Sequence, residues 1–202
     1  MSARHKSDFR FRRLAPRRFL RDERGVTAVE FALVLPILIV LVLGCFEVPR
    51  YVLVVQKITR TSAGVADLIA QADDPVTGNQ IQDIFRASRV MMDPYDIVAD
   101  GKIFITSINN PSGAGVEITW QRDNSGNAAA TSKIGSSGTP AIPAALMPGS
   151  DEEVLAAEVF FNYTPIFSTL IYSGSQLYSV SYTRPRNHNL TTVPSAADAP
   201  DS

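Results

Sequence analysis

Glu30 poses the first chemical question of this chain. It is a lone carboxylate at the head of a stretch, Phe31 to Phe46, that carries no charge over 16 residues. A carboxylate at a hydrocarbon edge costs free energy unless something pairs with it. Glu30 stands five residues after Gly25. Hydrolysis of the bond between Gly25 and Val26 would leave a free α-amino group on Val26, one helical turn from that carboxylate. The two charges could then pair, within one chain or between neighbours, each offsetting the other's desolvation in a low dielectric. A second reading competes over the same stretch. Val42 to Cys45 reads VLGC, close to a lipobox, in which Cys45 would become a lipidated N-terminus; the leader would then hold Glu30 and Pro36 within its apolar part. Arg17 and Arg18 hint at twin-arginine export, but Asp22 and Glu23 follow at once.

Other chemistry is sparse. One cysteine and two histidines, His5 and His188 near opposite ends, disfavour an intrachain disulfide, a Cys/His metal centre or a Cys–His nucleophile. No cofactor is implied. Asp93, Asp96 and Asp100 lack calcium-loop spacing and read as turn-forming acids. Residues 123–127, DNSGN, open like a calcium loop, but the glycine falls two places early and the distal glutamate is missing. Asp151, Glu152 and Glu153 read as a solvated charge run. No phosphate loop, nucleophile elbow or zinc motif is present, and no enzyme activity is expected.

The charges are polarised. The 202 residues sum to a net charge of −1, which offers no whole-chain case for nucleic-acid binding. Residues 1–25, however, hold nine Lys/Arg against three acids, and the remainder is acidic. The apolar run follows the basic segment directly. Its charge-free 16 residues rise about 24 Å as a helix, short of a hydrocarbon core of about 30 Å. A full span must borrow flanking residues, and Val26–Val48 takes in Glu30 and Glu47. The basic flank places the N-terminus in the cytoplasm and the rest outside. A plain uncleaved anchor fits the same features.

Here a resemblance emerges. A basic leader, Gly25, and then Glu30-Phe31 opening an apolar helix looks like a type IV prepilin signal. Residues 21–36, RDERGVTAVEFALVLP, resemble more closely the TadE-like family of the tight-adherence (Flp) pilus system. Gly44, Glu47 and Arg50 match that family's Gly…Glu…Arg pattern at the outer end of the helix. Residues 66–71 (ADLIAQ), 157–165 (AEVFFNYTP) and 183–186 (TRPR) also resemble family segments. The resemblance implies a prepilin-like protein of the bacterial inner membrane that assists pilus assembly. It implies as partners the bilayer, a prepilin peptidase, and other pilus subunits or platform proteins. Gly25 and Val26 would flank the cleaved bond, and Glu30 would be the processing and assembly glutamate.

The elements that must carry these residues follow from periodicity. Beyond the apolar run, Tyr51, Val55, Ile58, Ser62, Val65 and Ile69 recur at helical spacing, so one helix of over 40 residues is expected to end at Asp73-Asp74-Pro75. Pro36 predicts a kink and Pro49 a second bend. Thr77 and Gln80 form a capping box for a short helix ending at Asp93-Pro94. The alternation at 103–108 and 116–121 predicts two strands, and a third and a fourth are expected at about 154–163 and 176–183. Residues 123–150, rich in Gly, Ser, Ala and Pro, read as a long surface loop. The tail from Asn187 reads as disordered. The expected fold class is α+β and pilin-like: a basic leader 1–25, a transmembrane helix 26–50, and an exported head 51–186 with one short helix and a small antiparallel sheet. Tyr163, Tyr172, Tyr178, Tyr182, Phe160, Phe161 and Phe167 are read as core aromatics, with a partner surface as the alternative.

Overall fold

A computed structural model describes residues 23–72, 75–167, 174–186 and 190; residues 1–22 of the basic leader lie outside the described residues. The chain divides into two compact units, 1–44 and 45–202. The long helix α1 (Glu23–Ala70) contributes to both. In the first unit the described residues are helical, and nearly all are exposed. The helix continues through Pro36 and Pro49 without interruption, although each proline lacks the N–H that would bond one turn back.

The second unit is α+β. A short helix α2 (Gly78–Met92) begins at the expected box. The Gln80 N–H donates to Thr77 Oγ1 and the Thr77 N–H donates to Gln80 Oε1. Two donors that helix geometry leaves free are satisfied reciprocally. Four strands follow: β1 (Gly101–Asn109), β2 (Glu117–Asp123), β3 (Glu153–Tyr163) and β4 (Ser175–Thr183). They form one sheet in the order β2-β1-β3-β4, with every neighbouring pair antiparallel. The central strands β1 and β3 are buried almost throughout, whereas β2 and β4 are mostly half-exposed. That division fits the near-continuous apolar run of β1 and the alternation of β2.

One sheet face meets the helices. Ile103, Ile105, Leu155, Ala157, Val159 and Phe161 pack on Val54, Ile58, Val65 and Ile69 of α1 and on Ile81, Ile84, Phe85 and Met92 of α2. Burying each large side chain contributes about 1.5–3 kcal/mol. The helices approach closely where α1 carries Gly64: a Cβ there would lie 2.9 Å from Met91 Sδ. Between α1 and β4, Ser62 and Ser179 share a 2.9 Å hydrogen bond.

The other face carries Ile108 and Ala156, covered by Ile134 and Ile142. Residues 123–150 therefore form more than the surface loop their composition predicts. They hold only a short 3₁₀ turn, Ala144–Leu146, yet a few apolar side chains seal an otherwise open sheet face. The tail expectation also needs correction at one residue. Leu190 is fully buried: its carbonyl accepts from Trp120 Nε1 at 2.7 Å and its N–H donates to Glu153. The rest of 187–202 lies outside the described residues, apart from that anchor.

Candidate functional site at the outer end of the long helix

Gly25, Val26 and Glu30 all lie in the opening turns of α1 and are exposed. A Cβ on Gly25 would meet nothing within 4 Å. Cys45 is exposed in mid-helix. Of the sequence candidates, the structure brings only Glu47 and Arg50 into contact with the sheet.

Glu47 and Arg50 sit one turn apart on the face of α1 that continues through Val54 and Ile58 into the core. Glu47 is 8% exposed. Its Oε1 accepts from the Tyr163 hydroxyl at the end of β3, and its Oε2 accepts from the Ile166 N–H at 3.2 Å. The Arg50 guanidinium lies 5.7 Å from the Tyr163 ring centroid, a cation–π distance. Tyr51 meets the same ring edge-on at 5.4 Å between centroids. Arg50 Nη1 is buried with no hydrogen-bond partner among the described residues. Burial, reinforced by the hydrogen bond and charge of Glu47, pushes the Tyr163 hydroxyl up to about 12. The hydroxyl therefore stays a donor at any physiological pH. Together these contacts tie the last β3 residue and the chain beyond it to one turn of the long helix.

Sequence reasoning found Glu47 and Arg50 but missed their partners Tyr163 and Ile166, which lie more than a hundred positions away. It also missed two buried carboxylates. Glu158 is fully buried. It accepts from Ser132 Oγ, from the Lys133 N–H at 2.9 Å and from the Tyr178 hydroxyl at 3.0 Å. It thereby pins the 123–150 segment to β3; burial, reinforced by the charge and hydrogen bond of Glu158, pushes the Tyr178 hydroxyl upward. A single acid within AAEVFF was the available signal, because a carboxylate in an apolar strand has to be paired. Glu153 is 2% exposed and bonded by Ser107 Oγ and Leu190. The solvated reading of 151–153 holds for Asp151 and Glu152 and fails for Glu153, whose side chain turns inward at the start of β3.

Elsewhere the acids behave as turn formers. Asp96 Oδ1 accepts from the Val98 and Ala99 N–H groups, and those bonds hold its carboxyl below the usual range. No group of three or more potential metal ligands occurs among the described residues. Phe160, Phe161 and Tyr163 are core aromatics and Tyr178 and Tyr182 are half-buried, while Tyr172 lies outside the described residues. Arg184 pairs with Glu152 at 3.1 Å, and Arg186 pairs with Asp67 while its N–H bonds the Ala70 carbonyl at 2.9 Å.

The fold and site define an α+β head built on one helix that is long and apolar enough to cross a membrane. A family model described as TadE-like protein matches residues 25–67. The match covers most of α1, including Glu30, Gly44, Glu47 and Arg50, and stops before the sheet. No curated protein and no solved structure matches the chain.

Proposed function

We propose that this chain is a membrane-anchored, prepilin-like protein that assists assembly of tight-adherence (Flp-type) pili. The observation that carries the reading is the coincidence of the TadE-like match with the apolar helix that bears Gly25, Val26 and Glu30 in its first turns. In this reading the basic leader stays in the cytoplasm of a bacterial inner membrane and the head lies outside. A prepilin peptidase cuts between Gly25 and Val26, so the chain is a substrate rather than an enzyme. The apolar helix holds the subunit in lipid until partner helices replace the lipid contacts. Glu30 sets register by pairing with an α-amino group, because a mismatched carboxylate would be left unpaired in hydrocarbon.

Intact mass and N-terminal sequencing of the mature protein test this. A start at Val26 is expected. A lipidated start at Cys45, or an unprocessed chain, would replace it with an anchored binding module that has no pilus role.

A further inference from the structure

The charge-free run from Phe31 to Phe46 is too short by itself to cross a bilayer, and in sequence Glu47 ends it. The structure removes that stop. Glu47 is buried beneath Tyr163 and bonded to the Ile166 N–H, and Arg50 is half-buried against the same ring. The residues of α1 that remain exposed past this point are Val48, Pro49, Tyr51, Val52 and Leu53. Polar exposure begins only at Gln56 and continues at Thr59 and Arg60. From Phe31 to Leu53 no charged side chain stands exposed. That stretch of 23 residues rises about 35 Å, enough for a hydrocarbon core of about 30 Å.

The same geometry fixes the depth of part of the head. Ile166 is 63% exposed, and its own N–H is held by Glu47, below Val52 and Leu53 on the helix. Tyr51, 38% exposed, stands between them and is suited to a membrane–water interface. We propose that the outer edge of the bilayer lies between Leu53 and Gln56, so that Ile166 and the foot of the head sit in lipid and shield Glu47 from it, while Arg50 is partly covered by the Tyr163 ring. The head thus carries the uncharged surface of the span outward past Glu47. The occupant of this apolar belt is lipid because the belt runs unbroken from the spanning segment of the same helix. The inference rests on reading α1 as a membrane span.

The test uses the full chain with Cys45, the sole cysteine, changed to alanine. Single cysteines replace Leu38, Leu53, Ala63 or Ile166, all on exposed surface or in the apolar run, and carry an environment-sensitive fluorophore. The protein is placed in phosphatidylcholine/phosphatidylglycerol vesicles containing nitroxide lipids. Loss of fluorescence is expected at Leu38, Leu53 and Ile166, and none at Ala63. At Leu53 and Ile166 a nitroxide near the headgroup should quench more than one deep in the chain, with the reverse at Leu38. Quenching at Leu38 with none at Ile166 and Leu53 overturns the inference and leaves the membrane span standing. A blue-shifted but unquenched Ile166 label overturns it by showing protein, such as a second copy, on that surface. An unquenched Leu38 label overturns the span itself, and the inference with it.

Discussion

Tyr163→Phe removes one hydroxyl and keeps the ring that Tyr51 and Arg50 touch. Glu47, at 8% exposure, then loses the donor at Oε1 and keeps only the Ile166 N–H at Oε2. A hydrogen bond to a charged group contributes about 1.5–3 kcal/mol. For a domain of this size, a loss of about 2 kcal/mol lowers Tm by about 4–8 °C. Thermal unfolding of the full chain in detergent micelles reads that shift. If the loss opens only the foot of the head, the Ile166 amide reports it instead, exchanging about 30-fold faster for the same energy. Tyr51→Phe is the control, since the Tyr51 ring makes an edge-on contact that does not use its hydroxyl. A double-mutant cycle with Glu47→Ala, which removes the acceptor oxygens, isolates the pair. Coupling within about 0.3 kcal/mol, the scatter of independent sites, would refute the idea that this bond fastens the sheet to the helix.

Four further outcomes are expected. Glu158→Gln should free the 123–150 segment, because the amide cannot accept from Ser132, Lys133 and Tyr178 as the carboxylate does; trypsin should cut faster after Lys133, and unchanged cleavage would contradict this. Truncation after Arg186 removes Leu190, the acceptor of the Trp120 indole N–H, so emission from the single tryptophan should shift to the red. The Tyr163 hydroxyl, raised from about 10 to about 12, binds its proton more tightly in the folded state. Its contribution to stability is present below pH 10 and is lost as pH rises toward 12; an alkaline absorbance titration should show this tyrosine ionising late, and ionisation at the ordinary value would contradict its burial beside Glu47. Glu30→Ala should lower piliation while membrane insertion persists, and normal piliation in that variant would remove the carboxylate from the assembly mechanism.

Local pattern made much of the head legible. Thr77 and Gln80 sit three apart, so their reciprocal bonds could be read without any tertiary information. The apolar repeat past Tyr51 marked the face of α1 that packs on the sheet, because a helix buries one stripe. All four strands were located to within a few residues, the first two by alternation. Composition located 123–150 as a segment without regular structure, but Gly, Ser and Pro do not say whether Ile134 and Ile142 face water or the sheet. Glu153 failed for a related reason. It neighbours two exposed acids in sequence, and only strand pairing with Asn109 shows which way it points.

The chain by itself determined that a basic leader precedes an apolar helix, and that Glu30 stands five residues after Gly25 at the head of its charge-free run. Those are features of consecutive residues and need no fold to be visible. Tertiary structure decided what Glu47 and Arg50 do. Their partners arrive from the end of β3, 116 residues beyond Glu47, on a strand whose place beside β1 depends on the whole sheet order. A charge that ends the apolar run in sequence is buried in the fold, and so does not end the apolar surface. Exposure belongs to the folded chain, and spacing alone could not have supplied it.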